Sequence, residues 1–111
     1  MDSFEKRKFK RLQITLDLSC RKVGSTTEKL YKGSTVNVSP GGLYFETVDD
    51  VFTPGNLLKV ELSIPPTAGL LEFGGKVAAF AKVLRASDLS DTLSSKYGVA
   101  VQFCQSPKLC T

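Results

Sequence analysis

Two short runs hold the side chains of this chain that could do chemistry. Arg7-Lys8-Phe9-Lys10-Arg11 sets two arginines four residues apart. A guanidinium is a planar fork of donors that keeps its charge near neutral pH, and it matches a phosphate or the O6/N7 edge of guanine bidentately. Phe9 offers apolar surface that can anchor the run or stack on a base. Taken alone, the run reads more readily as a solvated, disordered basic terminus. The second run is Asn37-Val38-Ser39-Pro40-Gly41-Gly42. Asn37 can donate and accept against a base edge, and Ser39 offers a hydroxyl to a phosphate oxygen. Gly42 lacks a Cβ, so its backbone can approach a ligand closely or take positive φ. Taken alone, this run reads more readily as a tight hairpin turn whose Asn and Ser bond their own backbone.

Catalysis finds little to work with. Histidine is absent, which removes the commonest general base and the commonest metal ligand. No nucleophile is paired with a base, and no carboxylates sit at a recognisable spacing. Asp49-Asp50 reads as a solvated turn or strand end. The three cysteines, Cys20, Cys104 and Cys110, include no C-x-x-C pair, which argues against a zinc site or a disulfide framework. Cys20 and Cys104 are expected to be small, buried strand residues in a reducing compartment. The expectation is therefore no enzyme, no catalytic residue, no metal and no cofactor.

The formal charge is +4 over 111 residues, but it is unevenly spread. Five basic and two acidic residues give the first eleven positions +3, leaving +1 for the other hundred. A nearly neutral body with a basic arm points to an anionic partner for the arm. Hydrophobic residues make up 41% and charged residues 23%, as in an ordinary globular domain. No apolar run is long enough for a transmembrane helix. The first residues lack a basic stretch followed by an apolar one, so no secretory signal is expected, and a cytoplasmic location is.

The elements that must position these runs read as strands. Leu12, Ile14, Leu16, Leu18 and Cys20 alternate with polar residues, the mark of a half-buried strand. A second strand is expected from about Leu30 through Val38, broken by Pro40-Gly41-Gly42, and a third from Leu43 to Val48. Thr53-Pro54-Gly55-Asn56 is a turn, and Leu58 to Ile64 alternates again up to Pro65-Pro66. Leu70 to Ala86 reads as a long strand, with a bulge or bend near Gly74-Gly75. Ser87 to Ser95 is a Ser/Asp-rich loop with room for one helical turn. The last strand spans Tyr97 to Cys104. Six short strands with no sustained helical period argue for an all-β barrel or sandwich, and a barrel removes the open edges of so small a sheet.

In their order, the two runs complete a pattern. The chain resembles the PilZ domain family, whose signature is R-x-x-x-R ahead of the first strand and D/N-x-S-x-x-G between the second and third. The pattern falls on Arg7, Arg11, Asn37, Ser39 and Gly42. Tyr97-Gly98-Val99-Ala100-Val101-Gln102-Phe103 also looks like the family's closing strand, and the resemblance covers roughly residues 5 to 105.

The resemblance implies a six-stranded antiparallel β-barrel that binds cyclic di-GMP. Arg7 and Arg11 would contact phosphates and guanines, Asn37 and Ser39 a guanine and its sugar-phosphate, and Gly42 would keep the turn open. Asn37 stands where aspartate is commoner, which keeps an acceptor but gives up a charge. The expected layout is a flexible basic arm at 1–11, a barrel at 12–105 and a short tail at 106–111 without a substantial C-terminal helix. The expected role is a single-domain signalling receptor or adaptor whose arm orders over the ligand and whose downstream partner is another protein. Two other readings remain: a PilZ-like protein-interaction domain that binds no nucleotide, and a basic arm that binds nucleic acid or an anionic membrane.

Overall fold

A computed structural model of the chain describes residues 13–24, 29–65 and 75–105, and the backbone of 108–110. The strands are β1 (Asp17–Lys22), β2 (Tyr31–Ser39), β3 (Gly42–Thr47), β4 (Leu57–Ile64), β5 (Gly75–Asp88), β6 (Tyr97–Phe103) and β7 (Lys108–Cys110). All pairings are antiparallel, in the order β4-β1-β2-β3-β6-β5, and β4 also pairs with β5. The last pairing closes six strands into the expected barrel. No helix occurs among the described residues.

Period-two alternation builds the interior. Leu18 and Cys20 from β1, Phe45 from β3, Leu58 and Val60 from β4, Val83 from β5 and Val99 from β6 all point inward and are buried. Phe52, from the connection after β3, packs its ring edge-on against Phe45 at 5.8 Å and against Tyr31 at 5.4 Å. Such contacts add roughly 0.5–1.5 kcal/mol each beyond area burial.

Three details differ from the sequence expectation. The first strand pairs regularly only from Asp17 and runs on to Lys22, although Ile14 and Leu16 keep the inward alternation. The segment 106–111, expected as a tail, contains β7, which pairs with Lys76–Ala78 of β5. Strand β5 is 14 residues long and meets β6 only from Ala81 onward, so its first half offers an edge for β7 to cover. Cys104 is exposed rather than buried, because the strand ends at Phe103. Cys20 is buried as expected, and burial pushes its thiol up to about 12, with the negative charge of Asp49 adding to the effect.

The turns follow their residues. Thr53 to Asn56 closes with Asn56 N–H donating to the Thr53 carbonyl at 3.1 Å, and Gly55 takes φ +94° where only glycine is comfortable. The loop after β5 is not helical. There the Asp91 carboxylate accepts from the amides of Leu93 and Ser94, both at 2.8 Å. The expected bend at Gly74-Gly75 lies partly outside the described residues, but Gly75 has φ +146°.

Candidate ligand-binding site

Strict alternation along β2 would put Asn37 on the same side as Thr35, which is 2% exposed and points into the barrel. The structure inserts a β-bulge instead. Thr35 pairs with Phe45 and Asn37 with Tyr44, so Val36 is the extra residue. The bulge turns Asn37 onto the outer face, returns Val38 to the core opposite Leu43, and leaves Ser39 outward. A bulge at a ladder position re-aims one side chain in this way.

Pro40 and Gly41 form a two-residue loop between Ser39 and Gly42, which pair directly. Favoured two-residue hairpins need positive φ, yet Pro40 is locked near −65° and none of Pro40, Gly41 and Gly42 has positive φ. The Ser39 side chain braces the turn. Its Oγ accepts from Gly41 N–H at 3.3 Å and donates to the Gly42 carbonyl at 3.2 Å. Both bonds are long, and a hydroxyl oxygen keeps a second lone pair.

The expected reason for Gly42 changes. A Cβ there would run into the Val101 carbonyl oxygen of β6. Glycine is required because β3 and β6 approach closely at this pair, not because the turn needs a left-handed residue.

Thr35 does more than fill the interior. Its Oγ1 accepts from Leu16 N–H at 2.7 Å and donates to the Ile14 carbonyl at 2.6 Å, while its own N–H donates to the Leu16 carbonyl at 3.0 Å. These three bonds fasten residues 14–16 to β2 two positions before Asn37. Because β1 and β2 are antiparallel, going back from Asp17 moves along β2 towards Asn37. The chain therefore enters the barrel beside the Asn37 end of β2. Arg7 and Arg11 lie outside the described residues; Ile14 is three positions after Arg11, a span of at most about 10 Å.

The outer face continues across the sheet. Asn37 pairs with Tyr44, Tyr44 with Ala100 and Ala100 with Arg85, forming one cross-strand row from β2 to β5. The next row is Ser39, Gly42, Gln102 and Lys82. The tip of Tyr44 covers Gly98, where any Cβ would collide with its hydroxyl. Further along β3, Glu46 is engaged by Lys96 at 3.5 Å. Sequence reasoning missed Tyr44, Lys82, Arg85 and Gln102 as members of this face. Tyr44 was readable, since it lies two positions beyond Gly42 in plain alternation.

A match across most of the chain bears on this arrangement. A family model for the PilZ domain matches residues 5–108. The chain belongs to the PilZ domain family. Among curated proteins no sequence match is found. Two solved structures share the fold of this PilZ domain. The Bacillus subtilis inhibitor of motility (MotI/DgrA) superposes with TM-score 0.70 at 21% identity, over 90% of this chain and 43% of that one. The PilZ domain with c-di-GMP of YcgR from Escherichia coli superposes with TM-score 0.63 at 12% identity, over 89% of this chain and 78% of that one. The chain thus spans less than half the length of the motility inhibitor.

Among the described residues of the PilZ domain, two cavities lie away from the motif. One of about 210 Å³ is lined by Asp49, Asp50, Phe52, Ala86, Ser87, Asp88 and Tyr97. Three aspartates in its lining make this cavity acidic, a poor site for an anion. The other, about 420 Å³, lies between residues 15–17 and the facing ends of β4 and β5. Among the described residues no His/Cys/Asp/Glu group is arranged to hold a metal, and no helix is long and apolar enough to cross a membrane.

Proposed function

We propose that this PilZ domain binds cyclic di-GMP on the outer face of β2 and β3, and that its N-terminal arm closes over the bound ligand. The observation that carries the reading is the Thr35 fastening, which brings the root of the arm beside Asn37. An arginine pair needs a fixed root near the base-reading groups before two guanidinium forks and one amide can meet on a single ligand.

In this reading Asn37 accepts from the N1 and N2 donors of a guanine through Oδ1. Ser39 trades its long bond to the Gly42 carbonyl for a shorter one to a phosphate oxygen. Arg7 and Arg11 grip phosphate and the second guanine edge. Gly42 acts through the sheet, holding the hairpin against β6. The domain works as a cytoplasmic signalling receptor, and the closed arm creates or removes a surface for a downstream protein. The acid–base groups of an enzyme have no part in it. The likeness to the YcgR domain with c-di-GMP supports the ligand class, and the motility inhibitor shares the fold.

The test is an amide-shift titration of the full chain with cyclic di-GMP. Shifts should concentrate at Asn37 to Gly42 and in the arm. Unmoved amides at millimolar ligand would favour a protein-interaction domain that binds no nucleotide.

A further inference from the structure

The outer face contains a second bulge that mirrors the first. Along β5, Val83 pairs with Val101 inside the barrel and Arg85 pairs with Ala100, so Leu84 is the extra residue. By alternation Arg85 would share the inward side of Val83, which is 1% exposed. The bulge turns Arg85 outward instead. Its pairing residue, Ala100, is the one that faces Tyr44 and, through it, Asn37. Two bulges on strands three apart thus re-aim one polar and one cationic side chain into the same row. Each leaves its extra apolar residue exposed, Val36 at 37% and Leu84 at 52%. Two exposed apolar residues and two interrupted ladders are a cost, and bulges of this kind cluster at binding sites.

Chemistry across the row is graded. Asn37 and Ser39 at one end are neutral donors and acceptors. Between the ends stand Tyr44 and Ala100 in one row and Gly42 and Gln102 in the next, uncharged positions of which Ala100 and Gly42 are small. Arg85 and Lys82 at the far end are cations, both exposed, and neither takes part in an ion pair among the described residues. Adjacent strands are about 4.8 Å apart, so the two ends are separated by roughly 14 Å of curved sheet. A ligand with a base at Asn37 and an anionic group reaching across β3 and β6 would meet a guanidinium there.

We infer that Arg85, with Lys82 beside it, forms a second anionic subsite that takes the phosphate of a cyclic dinucleotide lying across β3 and β6. This rests on the cyclic di-GMP reading and adds ligand contacts outside the arm and the hairpin. Arg85 supplies the bidentate fork, and Lys82 supplies a point charge in the neighbouring row.

The experiment is calorimetry on the full chain with cyclic di-GMP, comparing Arg85→Ala, Arg85→Lys and Lys82→Ala. Lys59→Ala serves as control, because β4 lies across the barrel from β3. Arg85→Ala should weaken binding about ten-fold with an unchanged melting temperature, and Arg85→Lys should recover part of it. Lys82→Ala should weaken it about three-fold and Lys59→Ala should leave it alone. Equal affinity of the unaltered chain and Arg85→Ala overturns the subsite and leaves the hairpin reading standing. A matching loss with Lys59→Ala also overturns it, by showing only the effect of net charge. No binding by the unaltered chain overturns both readings.

Discussion

Asn37 and Arg85 stand at opposite ends of one cross-strand row, and each faces outward only because a β-bulge immediately precedes it. Unbroken alternation would turn both towards the barrel interior, beside Thr35 and Val83. The face that the two residues share with Ser39, Tyr44, Gln102 and Lys82 is therefore set by two local departures from regular pairing. The entry of the chain, fastened by Thr35, runs along its border.

Thr35 links stability to binding. Thr35→Val keeps the shape but leaves Leu16 N–H and the Ile14 carbonyl without their partner. Unpaired groups of this kind cost about 1–3 kcal/mol each. Chemical denaturation should show a loss of about 2 kcal/mol or more, and Thr35→Ser should recover most of it. Cyclic di-GMP affinity should fall in Thr35→Val even at temperatures where the domain stays folded, because the root of the arm is released.

Gly42 acts through the fold. Gly42→Ala drives a methyl into the Val101 carbonyl and forces β3 and β6 apart. A destabilisation of about 1–3 kcal/mol is expected from such overpacking, read as a lower denaturation midpoint. A Gly42→Ala domain of undiminished stability would return the residue to a direct role at the ligand.

Asn37 tunes the affinity. Asn37→Asp restores a charged acceptor for the guanine N1 and N2 donors, and charge-assisted bonds are about twice as strong as neutral ones. Calorimetry should show several-fold tighter binding for Asn37→Asp and roughly ten-fold weaker binding for Asn37→Ala.

The cysteines should differ sharply in reactivity. Burial holds the Cys20 thiol neutral, with its value raised from 9.0 to about 12, whereas Cys104 is exposed. Brief alkylation of the native domain followed by peptide mapping should modify Cys104 and spare Cys20. The sign of the pH effect follows from the raised value. The folded state holds the proton more tightly than the unfolded one, so the contribution of Cys20 is complete below about pH 9. It is lost as pH rises from there through about 12. A denaturation series in alkali should show Cys20→Ala losing less stability over that range than the unaltered chain.

Strand identity was legible because alternation survives along most of the barrel wall. Leu18 and Cys20, Leu58 and Val60, and Val99 and Val101 each announce an inward face two residues at a time. The direction of Asn37 and Arg85 was not legible. A bulge is defined by which residue on the partner strand is skipped, and nothing in the period of β2 or β5 alone records that. Thr35 was hidden for a similar reason, since its bonds reach residues 19 and 21 positions away. The motif Asn37, Ser39, Gly42 was visible as spacing, but the work of Gly42 lies in the approach of β6, nearly sixty residues later. Strand β7 was missed because its three residues carry too little pattern to separate from a tail.

The most direct test of the central claim is a calorimetric isotherm of cyclic di-GMP on the full chain, repeated with Arg7→Ala and Arg11→Ala. The account predicts saturable binding that each substitution weakens about ten-fold or more, since a charge-assisted contact is worth roughly 1.5–3 kcal/mol. Unchanged affinity in both variants, or no heat of binding in the unaltered chain, would contradict it.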